Sequence, residues 1–277
     1  MKSLAGRPVA DAIYAELRRE AAALSSPPSL VVLLIGEDPA SQTYVASKEK
    51  RCAELGFRGK VERLPATVEA DTVFRRISAL NADRNVHGIL VQLPLPPQLP
   101  REAILESIDP EKDVDGLHPV NAGRLVQGRP TLEPCTPAGV MEILKFYEIP
   151  VSGRRAVVVG RSDIVGKPMA LLLLRADATV TVAHSKTPDL ALVCREADIL
   201  VAAAGRPKLI GSSYVKPGAT VIDVGIHRTP DGLVGDVDAA AIASLAGALT
   251  PVPGGVGVMT IAMLMRNVFR AAKDVGH

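Results

Sequence analysis

Tyr44 and Lys48 stand four residues apart in the run SQTYVASKEKRCAELG (41–56). Read as a helix, the run puts them one above the other on a single face. Val45, Cys52 and Leu55 then form an apolar arc, with Ser47, Lys50 and Glu54 opposite. Lys48 falls inside that arc. Burial disfavours an ammonium and moves its pKa toward neutrality, the condition for a lysine that transfers protons. The competing reading is a core-edge lysine whose stem is covered and whose head is in water. The helix alone does not choose between them.

Other stretches carry chemistry of a different kind. In VVVGRSDIVGKP (157–168) a strand ends at Gly160 and a helix opens at Gly166. Backbone N–H groups at such a helix start can hold a pyrophosphate. The spacing departs from GxGxxG, because Ser162 stands at the second glycine. NAD sites place an acid at the end of the following strand, for the ribose 2′-hydroxyl. Here that strand ends in His184-Ser185-Lys186-Thr187, without one. Arg161 with a hydroxyl suits a 2′-phosphate, which favours NADP; the alternative is a solvated basic loop. Gln92 follows the apolar run Gly88–Val91, at the strand edge where ligands of open α/β sheets bind. Otherwise it is a polar residue closing a strand. Asp113 and Asp115 in KDVDG are turn carboxylates or acceptors for a substrate's N–H groups. PVPGGVG (251–257) is a flexible loop or a stiff, bare stretch of backbone that a flat ligand can approach.

The elements that must position these residues alternate. Strands are expected at 30–36, at 57–64 and within 86–97, where three prolines stop the strand, with helices at 41–56 and 68–81 between them. Residues 110–135 are rich in turn formers and read as a passage between domains. Thr136-Pro137 opens a helix to Tyr147. A second series follows: strands 155–160, 179–183, 198–205 and 219–225, and helices 164–175 and 187–195. Apolar β-branched strands alternating with helices predict parallel sheets covered on both faces, the second doubly wound. With 277 residues there is chain enough for two domains. Aromatics are 3% of it, so the cores must be aliphatic.

The near-balanced formal charge of +2 argues against a nucleic-acid surface. Three scattered cysteines fit a reducing compartment and form no metal or disulfide framework, and the five histidines show no ligand spacing. No metal site is expected. Asp11, Glu16 and Glu20 argue against an organelle-targeting helix, and no apolar run is long enough for a bilayer. A cytoplasmic protein without membrane contact is expected.

Taken together, Tyr44-x-x-x-Lys48, VQLPLP (91–96), KDVDG (112–116), PCTP (134–137), VVGRSDIVGKP (158–168), HSKT (184–187) and PVPGGVG (251–257) resemble the bifunctional methylenetetrahydrofolate dehydrogenase/methenyltetrahydrofolate cyclohydrolase family. The resemblance runs over essentially the whole chain, with the motifs in the family's order. It implies a two-domain α/β fold with a cleft between the domains. Residues 1–135, completed by a C-terminal helix 257–277, would be the folate-binding catalytic domain, and 136–256 a Rossmann-like NADP-binding domain. It implies oxidation of 5,10-methylenetetrahydrofolate with NADP⁺, hydrolysis of the methenyl product to 10-formyltetrahydrofolate, and a homodimer. Lys48 would be the catalytic lysine, tuned by Gln92. Tyr44 would stack on the folate and Asp115 grip the pterin, with Pro253, Gly254 and Gly257 along the folate site. Arg161 and Ser185 would hold the 2′-phosphate, and Gly160, Ser162, Ile164 and Ile226 border the dinucleotide. Two residues depart from the family's habit: Val258 where proline is common, and His227 where asparagine is common. The first is expected to loosen the start of the last helix. The second puts in doubt any contact to the nicotinamide ribose carried over to that position. The rival readings are an oxidoreductase for amino or keto acids and a nucleotide-binding protein without turnover.

Overall fold

The computed structural model describes residues 1–129, 131–230 and 232–274. The chain divides into two compact units, Ile13–Glu133 with Leu264–His277, and Met1–Ala12 with Pro134–Met263. It opens with a two-residue strand, β1 (Lys2–Ser3), and a helix, α1 (Gly6–Ala21), that spans the division at Ala12.

In the first unit β2 (Ser29–Ile35) is buried at every residue, which is why it reads as an unbroken apolar run. It lies between β3 (Arg58–Leu64) and β4 (Gly88–Val91) in a parallel three-stranded sheet, order β3-β2-β4. Between β2 and β3 comes α2 (Pro39–Leu55). Its start is fixed by Pro39 and by the Asp38 carboxylate, which accepts from Ser41 N at 2.7 Å. Gly56, left-handed at φ 73°, ends it. A Cβ on Gly59 of β3 would fall 2.8 Å from Cys52 Cβ, so α2 rests directly on that strand. The next helix, α3 (Ala70–Ala82), buries Val73, Ile77 and Leu80 against Val31, Leu33, Ile89 and Val91, an aliphatic core. The passage 110–135 is less irregular than expected. After α4 (Arg101–Glu106) it contains α5 (Pro119–Val126), too short for periodicity to reveal and capped by His118, whose Nδ1 accepts from Val120 N at 3.0 Å.

In the second unit α6 (Cys135–Phe146), β5 (Arg155–Val159), α7 (Gly166–Arg175), β6 (Thr179–Ala183), α8 (Leu190–Cys194), β7 (Ile199–Ala202) and β8 (Thr220–Asp223) follow the predicted alternation. A short hairpin, β9 (His227–Thr229) and β10 (Gly232–Val234), then α9 (Ala239–Ile242) and β11 (Ala248–Leu249), were not legible. The sheet is parallel throughout, order β6-β5-β7-β8-β11-β1. Residues 1–12 therefore belong with this unit and not, as expected, with the first. Lys2 and Ser3 pair with Ala248 and Leu249, and Tyr147 Oη donates to Ala5 O at 2.9 Å. Backbone hydrogen bonds hold this strand, so its side chains carry no pattern. The last helix, α10 (Val256–Asp274), begins with Val258 in its first turn, so that residue does not displace the helix start. The three final residues of the predicted helix 257–277 lie outside the described residues. Among the described residues no helix is long and apolar enough to cross a membrane.

Both sheets share one device. In each, one strand, β2 or β5, has the next strand of the chain on one side and the one after that on the other. In the larger sheet the connections β5 to β6 and β7 to β8 therefore diverge and leave a crevice at the carboxyl edge; the corresponding crevice of the smaller sheet is at the ends of β2 and β4.

Candidate active site

In the first unit that crevice lies between the ends of β2 and β4. Gln92 N donates to Leu33 O at 2.9 Å, which carries the sheet register one residue beyond β4. The Gln92 side chain turns to α2. Lys48 Nζ donates to Gln92 Oε1 at 2.8 Å, and Gln92 Nε2 donates to Leu93 O at 2.7 Å. The second bond fixes which end of the amide faces the amine, so the lysine sees an acceptor. Lys48 is half-buried, whereas Val45 and Cys52 are fully buried. It lies one turn before Cys52, and α2 runs back over the sheet, so this turn is nearer the carboxyl edge. The amine meets Gln92, one residue beyond the end of β4. Tyr44, one turn earlier in α2, is 48% exposed, leaving its ring available for stacking.

Lys112 shows what a structural lysine looks like in the same unit. It is buried, and its ammonium donates to the carbonyls of Leu80, Asn81 and Asp83 at 3.0, 2.8 and 2.7 Å, closing the end of α3. Burial holds its pKa below the usual lysine range.

The KDVDG segment runs beside β4, with Asp113 bridged in parallel to Ile89. The two acids have different surroundings. Asp113 is buried, and its Oδ2 accepts from His118 N at 2.8 Å and Asn121 Nδ2 at 3.0 Å. Burial pushes its carboxyl up to about 6, against the lowering effect of those bonds. Asp115, in the turn that follows, is only half-buried. Asp113 is committed to holding the start of α5, and Asp115 is the carboxylate a ligand can reach.

In the second unit the crevice lies between the ends of β5 and β7. Gly160 sits there at φ 134°, and a Cβ on it would fall 2.1 Å from Ala203 O. A Cβ on Gly166 would fall 2.3 Å from Gly160 O. Only glycines let the turn close this tightly onto the start of α7. Ser162 Oγ accepts from Val165 N at 3.2 Å and Gly166 N at 3.3 Å, so the residue that breaks GxGxxG ties the loop to the start of that helix. The parallel register pairs Val159 with Ala183, and Gly160 N donates to Ala183 O at 2.8 Å. Arg161 and Ser185 therefore leave neighbouring strands at the same level, and both are exposed. The HSKT turn is held from within: His184 N donates to Thr187 Oγ1 at 2.9 Å and Lys186 N to His184 Nδ1 at 3.2 Å. Ile164 and Ile226, at 42% and 44% exposed, are apolar surfaces on the same edge. A cation and a hydroxyl side by side above a helix start, with bare backbone between, is a donor set that fits a dinucleotide carrying a 2′-phosphate.

The PVPGGVG loop has a packing role as well. Gly6 N donates to Gly254 O at 2.9 Å, and a Cβ on Gly6 would fall 2.1 Å from Gly255 O, so the loop lies against the start of α1. Gly254, at φ 100°, has open space where a Cβ would be, and Pro253 beside it is exposed. A Cβ on Gly257 would meet Ile226 Cδ1 at 2.9 Å.

The structure adds a group the sequence did not single out. Asp236 is fully buried and accepts from Ala204 N, Gly205 N, Arg206 N and His227 Nε2 at 2.6, 2.9, 3.0 and 2.7 Å. This is why strand 198–205 ends early: Ala203 N still donates to Val159 O, and the three N–H groups after it turn to the carboxylate. Asp223 accepts in turn from Gly225 N, Asp236 N and Val237 N, and burial raises its carboxyl to about 6. The available signal was an acid followed within two residues by glycine in IDVG (222–225) and glycine before acid in GDVD (235–238).

Comparison with known proteins agrees with this arrangement. The family described as "Tetrahydrofolate dehydrogenase/cyclohydrolase, catalytic domain" matches residues 4–115, and its "NAD(P)-binding domain" counterpart matches 134–275. "Bifunctional protein FolD" of Geobacillus thermodenitrificans is 51% identical over 98% of this chain and 97% of its own length. The crystal structure of the bifunctional FolD methylenetetrahydrofolate dehydrogenase/cyclohydrolase from Campylobacter jejuni is similar at a TM-score of 0.97, with 48% identity over 99% of each chain. A Trypanosoma brucei methylenetetrahydrofolate dehydrogenase-cyclohydrolase, solved with NADP cofactor and inhibitor, is similar at 0.93, with 43% identity over 98% of this chain and 97% of its own. With both domains matched in order and nearly its full length aligned at about half identity, the chain belongs to the tetrahydrofolate dehydrogenase/cyclohydrolase family.

Proposed function

We propose that this chain oxidises 5,10-methylenetetrahydrofolate to the 5,10-methenyl cation with NADP⁺ and hydrolyses that cation to 10-formyltetrahydrofolate. The observation that carries the reading is the Lys48–Gln92 pair at the carboxyl edge of the first sheet, an amine held by an oriented amide acceptor. The first unit is the folate-binding catalytic domain, and the second is the NADP-binding domain. Tyr44 stacks on the folate, Asp115 accepts from its pterin N–H groups, and Pro253, Gly254 and Gly257 supply surface to the same ligand. Arg161 and Ser185 hold the 2′-phosphate, and Gly160, Ser162, Ile164 and Ile226 border the dinucleotide.

NADP⁺, when bound, supplies the acceptor for the hydride of the methylene carbon. What the protein does is position and move protons. Gln92 Oε1 accepts one amine hydrogen and so directs the Lys48 nitrogen. Water adds to the electrophilic methenyl carbon, and Lys48 takes the proton it releases. The bond from that carbon to N5 then breaks, and N5 accepts a proton, leaving the formyl group on N10. One proton of the water ends on N5 and the other in solution.

Incubating the pure protein with methylenetetrahydrofolate and each dinucleotide, and following reduced dinucleotide, methenyl and formyl products separately, tests the reading. Turnover of an amino or keto acid in place of the folate would overturn it. Cofactor choice has its own test. Arg161→Ala should weaken NADP⁺ by ~1.5–3 kcal/mol, the scale of a lost charge-assisted hydrogen bond, with NAD⁺ nearly unchanged. Equal losses for both would remove Arg161 from the 2′-phosphate.

The protein is a cytoplasmic homodimer. Cys52, Cys135 and Cys194 are reduced thiols, as suits a reducing compartment. β6 is an edge of the larger sheet, and it exposes Val182, with Leu174 and Leu192 exposed on the helices either side of it. An unpaired edge with exposed apolar residues is a surface that a second chain can cover. Light scattering at the mass of a single chain would count against the dimer.

A further inference from the structure

The buried Asp236 carboxylate lies in none of the roles above, yet everything it holds belongs to the edge where the dinucleotide is placed. Ala204, Gly205 and Arg206 direct three successive N–H groups at it. Such a run of amides is an anion-binding nest, and here the protein's own carboxylate fills it. The residue before the nest, Ala203, is the one against which Gly160 closes. The fourth donor, His227 Nε2, comes from the other side of the edge, at the end of the loop after β8. Within that loop Gly225 donates to Asp223 Oδ1, and a Cβ on Gly225 would fall 2.3 Å from Asp236 Oδ1. Ile226 stands between Gly225 and His227, so both its neighbours are tied to the same carboxylate pair while its own side chain faces outward.

We propose that Asp236 and His227 are positioning residues for the dinucleotide, setting the loop 203–206 and the side chain of Ile226 in place before it binds. The inference rests on the functional reading above and deepens it. The two buried oxygens of Asp236 need donors on every side, since buried carboxylate oxygens left short of donors are costly. His227 is the donor that joins the two loops. Without it Oδ1 keeps only Arg206 N, and the second loop loses its tie to the first. Affinity lost in this way is lost as preorganisation, without removal of any group that touches the ligand. His227 is also the practical handle: its side chain is 22% exposed, whereas Asp236 is fully buried and its replacement threatens folding.

The test compares His227→Leu with His227→Gln, whose side-chain amide can place an N–H where Nε2 stands. NADP⁺ dissociation constants are measured by titration, and hydrolysis of added methenyltetrahydrofolate is measured without dinucleotide. His227→Leu should weaken NADP⁺ by about tenfold or more, on the scale of a hydrogen bond to a charged group. His227→Gln should restore most of that, and hydrolysis should stay near wild type in both. NADP⁺ affinity unchanged in His227→Leu would overturn the proposal. So would equal weakening in both variants, or parallel loss of binding and hydrolysis with a lowered Tm, which marks a purely structural role. A wild-type protein that binds neither dinucleotide would instead overturn the functional reading on which the proposal stands.

Discussion

Lys48→Met abolishes most of the hydrolysis of methenyltetrahydrofolate while the protein stays folded and still binds folate: this is the largest effect expected of any single substitution. Methionine keeps an unbranched stem of similar length and removes the amine that reaches Gln92. The expected loss is on the order of 10²–10⁴-fold, the usual scale for a positioned acid–base group. An ordinary lysine ammonium titrates far above neutrality and is rarely free to accept a proton. The positive charge of the methenyl ring acts against an ammonium beside it when substrate is present. Oxidation of methylenetetrahydrofolate should fall less, because proton transfer belongs to water addition and ring opening. The check is the decay of added methenyltetrahydrofolate above its uncatalysed background. Decay at the wild-type rate would return Lys48 to the part of a core-edge lysine.

The second large effect separates two acids that lie two residues apart. Asp115→Ala should weaken folate by ~3 kcal/mol or more, about a hundredfold, if its carboxylate accepts two N–H bonds. Both reactions should suffer, and NADP⁺ binding and stability should not. Asp113→Ala should do the reverse. It strands His118 N–H and Asn121 Nδ2, both bonded to Oδ2, and should cost ~1–3 kcal/mol of stability. Asp113→Asn keeps one oxygen for both donors and should stay close to wild type. It should also remove a pH dependence. A carboxyl raised to about 6 by burial favours the folded state while protonated. That contribution is fully present below its unfolded value and is lost as pH rises through about 6. Urea midpoints across this range, beside folate titrations, measure both halves. Loss of folate binding in Asp113→Ala with none in Asp115→Ala would show that the wrong carboxylate had been chosen.

The sequence made legible what side-chain pattern controls. β2 has six apolar residues in a row after Ser29, all buried, and α2 has a capping acid, a first-turn proline and a closing glycine, so both could be read. β1 and β11 have two residues each and are held by backbone bonds, which no side-chain pattern reports. α5 was hidden because a helix of eight residues among turn formers shows little periodicity. At the site, the types and spacing of Tyr44, Lys48, Gln92 and Asp115 were visible, but the exposure that separates Asp115 from Asp113 is tertiary. The Asp223–Asp236–His227 group joins residues from separate segments through backbone N–H groups, and those amides look the same in every sequence. His227 read as a departure; in the structure it is a bonded partner.

The most direct test of one chain doing both steps with Lys48 serving the second is a single reaction. Wild type and Lys48→Met are each given methylenetetrahydrofolate and NADP⁺, and NADPH, methenyl and formyl products are followed together. Wild type should form NADPH and 10-formyltetrahydrofolate in step, with little methenyl present. Lys48→Met should form NADPH while methenyltetrahydrofolate accumulates and decays only at its uncatalysed rate. Formyl product appearing from Lys48→Met as fast as from wild type would contradict the account.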